Sequence, residues 1–244
     1  MSIIAGIDRP HFILLIVNQM IAFVNRLRYN CVMNTTGRSY TLRKRAQSSD
    51  DTRQRIITAA RDLIENSGYP NISLDRIADA AGVSRQTIYV QFGSKLGVLT
   101  AMVEEIDRVG LKELSDTLRE GTNPLQLLRS VIPLDFAYMQ KNAKIFCIFR
   151  AQAVSDPDFR AVLDGRMAGR LNSIRGVLAW LHSEGKLNAG WTVDEAAEWL
   201  FTITGFHTYD EMVNLHGWTL EHLNRRVLEA VETMLLTPEA RSEK

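Results

Sequence analysis

Two short helical patterns stand almost end to end in this chain, and their closeness constrains the fold more than any other feature. The first covers Leu74–Ala81, with Leu74, Ile77, Ala78 and Ala81 on one face and Ser73 placed to cap its start. The second covers Arg85–Phe92 and is capped by Ser84. Only Gly82, Val83 and Ser84 lie between them. Glycine makes the tight turn, and Val83 is expected to plug between the helices. A link this short forces a steep crossing. That is the helix-turn-helix geometry, in which the second helix fits a DNA major groove.

The second helix has two faces. Ile88 and Phe92 are four apart and point inward with Val83. Arg85, Gln86, Tyr89 and Val90 point outward. Exposing tyrosine and valine beside arginine and glutamine serves a globular protein poorly and a base-reading surface well. Arginine bonds guanine through two donors, glutamine bonds adenine, and valine meets a thymine methyl. Gly93 breaks the helix, and Ser94 caps another that carries Lys95 in its first turn. The free amides there make a phosphate site, and Lys95 adds charge. Upstream, Asp50 and Asp51 precede a helix whose apolar stripe is Ile56, Ala60, Leu63 and Ile64. Gly68 and Pro70 end it.

The stretch TRQRIITAARDLIENSGYPNISLDRIADAAGVSRQTIYVQFGSKLGVL resembles the N-terminal domain of the tetracycline-repressor (TetR) family. The resemblance covers 48 residues, one fifth of the 244-residue chain. Its specificity lies in the ordered set AARDLIENSGY, IADAAGVSRQTIYVQF and SK. It implies that Arg85, Gln86 and Val90 face bases. It implies that Thr87, Tyr89, Gln91 and Lys95 hold phosphates, with Ser84 contributing at the helix start. Gln91 stands where the family often has histidine or another aromatic residue, which puts the operator in doubt but not the fold. For Tyr89 a partly buried role, and for Gln91 a merely solvated one, stay open.

Charge supports a DNA partner once the chain is divided. Residues 1–49 carry seven Lys/Arg against one acid, residues 50–96 six of each, and residues 97–244 sixteen against twenty-one. A basic end on an acidic body suits contact with phosphates. Arg43, Lys44 and Arg45 read as a flexible basic arm reaching phosphate or a minor groove, or else as a solvated run. The apolar run Phe12–Val24 is too short for a bilayer span. Residues 1–45 are taken as an N-terminal extension, with 1–32 dispensable or the product of a start placed too early and Met33 the alternative. Two cysteines, Cys31 and Cys147, are too few for a disulfide framework and fit a reducing cytoplasm. Cys147, in IFCIF, is expected to be buried.

The rest of the chain reads as helical, so the expected class is all-α. Residues 46–96 form the helix-turn-helix domain and 97–244 a ligand-binding and dimerisation domain, about nine helices in total. The body helices are read as Lys95–Arg119, one opening at Pro124 that Pro133 should bend, Lys144–Ala153, one after Asp156-Pro157, Val193–Leu215 and Leu220–Leu236. The resemblance implies a homodimer formed by the last two. Leu223, Val227, Ala230 and Met234 share a face and are the interface candidates, unless that stripe packs on its own chain. Ligand-pocket candidates are Phe136, Met139, Phe146, Phe149, Trp180, Trp199, Phe206, His207 and Tyr209, each of which is also plausible core.

No phosphate-cradling glycine loop, nucleophile elbow or zincin motif is present, and His207, Asp210, Glu211 and His216 are too loosely spaced for a metal site. No enzyme activity, metal or cofactor is expected. The reading is a cytoplasmic DNA-binding transcriptional regulator: a homodimeric repressor, released from a palindromic operator by a small, largely apolar effector. The competing classes are an enzyme on a helical scaffold, which no residue constellation supports, and a membrane-surface protein using residues 1–32.

Overall fold

The computed structural model describes residues 39–68, 72–117 and 123–243, with side chains from Ser49 onward except at 111 and 113–117. The described residues are helical, as the apolar periods predict. In chain order the elements are α1 (Ser39–Ser67), α2 (Leu74–Ala81), α3 (Arg85–Phe92), α4 (Lys95–Thr117), α5 (Pro124–Ser155), α6 (Pro157–Ser183), α7 (Val193–Ile203) and α8 (Phe206–Tyr209). A π-helical turn (Asp210–Leu215), α9 (Leu220–Leu235) and α10 (Pro238–Ser242) follow. Extended pairing among the described residues is limited to a bridge between Leu187 and Leu236. No described helix is long and apolar enough to cross a membrane. The Phe12–Val24 run, Cys31, Met33 and Pro70 lie outside the described residues.

Three helix boundaries differ from expectation, each for a physical reason. The first helix starts at Ser39, well before Asp50, so the Arg43-Lys44-Arg45 backbone is helical rather than a loose arm. No glycine or proline interrupts Ser39–Ser67, and Leu, Arg, Lys, Ala and Gln all favour helix. The segments opening at Pro124 and Lys144 join into one helix that continues through Pro133. Asn142, buried within that helix, is satisfied there: its side-chain amide donates to the Tyr138 carbonyl one turn back at 2.9 Å. The Val193–Leu215 segment breaks after Ile203. Thr204 takes the C-cap position, and its buried hydroxyl donates to the Leu200 carbonyl at 2.6 Å.

These elements fall into two compact units. In the described residues, the first holds 39–109 with 144–164, and the second holds 110–143 with 165–243. The division differs from the expected boundary between residues 96 and 97, which follows the motif rather than the packing. Helices α4, α5 and α6 each contribute residues to both units. In the first unit the core is Ile56, Ala60, Ile64, Ile77, Ile88, Val98, Leu99 and Met102, with Phe149 edge-on to Phe159 at 5.2 Å. Cys147 is exposed, contrary to expectation. Ile145, Phe146 and Phe149 take the buried side of that helix, and Cys147 lies on the other.

In the second unit the core includes Phe136, Ile132, Leu178, Leu181, Leu200, Leu223, Val231 and Leu235. Arg129 ties α5 to α9 through Glu232 at 2.7 Å and also donates to the Glu243 carbonyl. The start of α7 carries a capping box. The Thr192 hydroxyl accepts from the Glu195 amide, while the Glu195 carboxylate accepts from the Thr192 amide and hydroxyl. Those bonds hold the Glu195 carboxyl below the ordinary carboxylate range, the Thr192 hydroxyl acting most. A depressed folded-state value gives stability that is present above the unfolded value and is lost as pH falls through the folded one. Glu195→Gln is therefore expected to lower the denaturant midpoint at neutral pH and to match the wild-type protein in acid. Equilibrium unfolding at both conditions checks this.

Candidate nucleic-acid interface

Ser73 and Ser84 build the reader from its caps. The Ser73 hydroxyl accepts from the Arg76 amide at 3.2 Å, and the Ser84 hydroxyl accepts from the Thr87 amide at 3.1 Å. Between the two helices, Gly82 takes the left-handed conformation at φ 63°. This lets the Val83 amide reach back to the Ala78 carbonyl at 3.0 Å, closing the turn. Leu74, Ile77, Ala78 and Ala81 are all buried, as is Ile88 on α3. Val83 and Phe92 are only half-buried. The Arg53 guanidinium covers the Phe92 ring at 4.6 Å and shields it from water.

This packing leaves the other face of α3 bare. Arg85 and Gln86 are exposed, Tyr89 is 41% exposed and Val90 is 76% exposed. The four lie at i, i+1, i+4 and i+5, so they form one contiguous surface. Ser84 is exposed and Thr87 half-buried, and their hydroxyls are 2.8 Å apart. Gln91 is half-buried, and its side-chain oxygen is enclosed without a hydrogen-bond partner, so its carbonyl faces protein rather than solvent. The Tyr89 hydroxyl, and next the Asp75 charge, hold the Arg85 guanidinium above its ordinary value.

The handover from α3 to α4 is sterically tight. The Ser94 hydroxyl accepts from the Gly97 amide at 3.0 Å and caps α4 as expected. A side-chain carbon at Gly97 would collide with the Phe92 carbonyl, so only glycine fits. Lys95 is half-buried at this junction. Burial pulls its ammonium below the ordinary value, and the Asp156 charge opposes that shift.

The candidate pocket residues are divided between the two units. Phe146 and Phe149 belong to the core of the first unit. Phe136, Met139, Trp180 and Tyr209 are buried in the second unit, with Trp199 and Phe206 half-buried. Phe206 stacks on Tyr209 at 5.8 Å. His207 is exposed and lies 3.5 Å from Glu211, so it lines no interior. The interface stripe also divides. Leu223 and Val227 join Val231 and Leu235 in the chain's own core, while Ala230 is half-buried and Met234 is 43% exposed. A spacing of four throughout, rather than four alternating with three, carries the buried row down α9.

A polar cluster in the second unit was not anticipated. The Arg170 guanidinium donates to Asp135 at 2.9 Å, to the Thr204 hydroxyl at 2.7 Å and to the Phe201 and Thr204 carbonyls. Arg166, one turn earlier, donates to the Tyr138 hydroxyl at 2.8 Å. The Tyr138 ring lies against Gly110, where a side-chain carbon would come within 2.8 Å of it. These partners are more than twenty residues apart in the chain, so no local pattern announces them. The arginine pair flanked by Gly165 and Gly169 is the one available hint.

Residues 56–102 match the family model described as bacterial regulatory proteins, tetR family. The transcriptional activator FasR of Mycolicibacterium smegmatis is 29% identical over 114 residues, 46% of this chain and 52% of its own length. The chain thus spans about half of that relative. The fatty acid metabolism regulator protein of Bacillus subtilis is 24% identical over 175 residues, covering 71% of this chain and 90% of its own. A triclosan complex of SmeT, a Stenotrophomonas maltophilia efflux-pump repressor, superposes with a TM-score of 0.65 at 20% identity, covering 78% of this chain and 93% of SmeT. The capped helix pair with its bare outer face is a helix-turn-helix, the arrangement that the matched family model describes. Over residues 56–102 the chain carries the DNA-binding region of the TetR family.

Gly97→Ala is expected to cost about 1–3 kcal/mol, because the opposing group is a backbone carbonyl that cannot swing aside. Denaturant unfolding measures this. Gly165→Ala, inside α6 where an added side-chain carbon meets nothing within 4 Å, is the control and is expected to stabilise by about 0.5–1 kcal/mol.

Proposed function

We propose that the protein is a cytoplasmic repressor. In this reading two copies bind a palindromic operator and leave it when a small, largely apolar effector enters the helical body. The observation that carries the reading is the exposed row Arg85, Gln86, Tyr89 and Val90 on a helix whose opposite side is core. Arg85, Gln86 and Val90 read base edges. Ser84, Thr87, Tyr89, Gln91 and Lys95 hold phosphates, with help from the free amides at the start of α4. The enclosed Gln91 oxygen leaves its amide N–H groups as donors, the polarity a phosphate needs. Arg43, Lys44 and Arg45 add charge from the start of α1.

Dimerisation supplies the second recognition helix that a palindrome requires. The partner packs on the outer side of α9, where Ala230 and Met234 are accessible, rather than on Leu223 and Val227. The effector lies among Phe136, Met139, Trp180, Trp199, Phe206 and Tyr209, with Arg170 and Thr204 as the nearest class of polar anchors. SmeT, of similar fold, has been solved with triclosan, an apolar molecule of this type. The effector acts through α4, which contributes residues to both units and enters the reader through the tight Phe92–Gly97 junction. It can act only by binding one arrangement of α4 better than another.

The test is selection from a random duplex library with the full chain, followed by binding titrations across a salt series. Arg85→Ala is expected to cost about 1–3 kcal/mol and to relax preference at one position per half-site. Lys95→Ala is expected to weaken all sequences alike and to flatten the salt dependence. Identical behaviour of the two variants would refute the division into base and phosphate contacts. A reporter behind the selected sequence distinguishes repression from activation.

A further inference from the structure

The base-facing arginine is not loose on the surface of α3. Asp75, in the first turn of α2, places its two carboxylate oxygens 2.9 and 3.2 Å from Nη1 of Arg85, ten residues along the chain. On the other side of the guanidinium, Nη2 donates to the Tyr89 hydroxyl at 3.1 Å, and the group sits 5.4 Å from the centre of the Tyr89 ring. Asp75 and Arg85 are both more than half exposed. An ion pair this exposed adds little to stability, since water and salt screen it and ordering two side chains costs entropy. A carboxylate beside a DNA-facing helix also repels phosphate. The sequence places a phosphate-repelling charge where a DNA-binding surface gains least from it, unless the charge serves recognition.

We propose that Asp75 is a positioning residue for specificity: together with Tyr89 it holds Arg85 in one orientation and withholds it from the phosphate backbone. The inference rests on the reading of α3 as a base-reading helix. A free arginine on such a surface finds phosphates at any sequence, and these contacts carry no sequence information. A paired arginine gives up that non-specific gain. The guanidinium has five N–H donors, and the contacts to Asp75 and Tyr89 occupy three at most. At least two remain for a base edge, so recognition does not require the pair to break. The benefit is a larger ratio of specific to non-specific affinity, the quantity that matters among many competing sites. Asp75 also lies at the N-terminus of α2, where an acid favours the helix dipole. A role confined to that dipole would change stability and leave the ratio untouched.

The experiment uses the full chain, the duplex selected for the wild-type protein, single-base variants of it, and a random duplex. Asp75→Asn keeps the shape and removes the charge. It is expected to bind the random duplex more tightly and to lose about tenfold in discrimination at the base pair that Arg85→Ala also relaxes, the low end of what a two-donor arginine contact supplies. Asp75→Glu is expected to restore most of the ratio. On an Arg85→Ala background, Asp75→Asn is expected to have no further effect at that base pair. Equal discrimination by the wild-type protein and Asp75→Asn, or equal losses with and without Arg85, would overturn the inference while leaving the DNA reading intact. Failure of the wild-type protein to select any duplex would overturn both. Should Asp75→Asn melt early, Tyr89→Phe, which removes the second hold on Arg85 together with a phosphate contact, carries the same test with a smaller expected loss, read only as discrimination at the Arg85 base pair because a lost phosphate contact weakens all sequences alike.

Discussion

The Phe92 carbonyl closes α3 against the third residue of α4, and that contact admits no side chain. Two helices are thereby joined through Gly93 and Ser94 with almost no conformational slack. Gly93, at φ 73°, donates its amide to the Tyr89 carbonyl, and Ser94 caps α4 from its first turn. The recognition surface inherits its orientation from this junction. Ile88 anchors the same helix from behind, fully buried, so α3 is held both at its end and along its inner face. Rigid presentation of a few side chains is what base reading demands, because a wrong base is rejected only if the donor cannot move to accommodate it.

Charge on this surface is arranged rather than accumulated. Residues 50–96 are neutral in sum, yet three of their five arginines are held against acidic or aromatic partners: Arg53 by the Phe92 ring and Glu104, Arg61 by Glu65, Arg85 by Asp75 and Tyr89. In the second unit Arg170 performs a different task. It gathers the carbonyls where α7 ends together with Asp135 and Thr204, which are buried or partly so, and it allows the chain to turn at Gly205 without orphaned acceptors. The same side-chain type thus pairs, shields or caps according to what its planar group faces.

The reader was legible in the sequence because everything that shapes it is local. Ser73, Gly82, Ser84 and Gly93 act on backbone within a turn of themselves, and the buried set Leu74, Ile77, Ala78 and Ala81 follows from period alone. The pairing of Asp75 with Arg85 was not legible, since it depends on how steeply α2 and α3 cross. The body yields less for the same reason. In α5 the buried Asn142 finds its acceptor on the helix itself, a satisfaction that composition does not reveal. On α9, Leu223, Val227, Ala230 and Met234 fit one helical stripe as well as the buried row Leu223, Val227, Val231 and Leu235 does. Only the neighbours choose between the two. His207 and Cys147 show the same limit, each sitting in an apolar segment yet turned outward.

Helices α4, α5 and α6 each pass from one compact unit into the other without a break. Among the described residues, every crossing between the units lies inside a helix rather than in a linker. Unfolding the first unit would strip hydrogen bonds from the interior of three helices, where the ends thus exposed have no caps. The two units are therefore expected to share one thermodynamic fate, with a free energy of opening common to both. Anything bound to either one adds its binding energy to the persistence of the whole, by mass action alone.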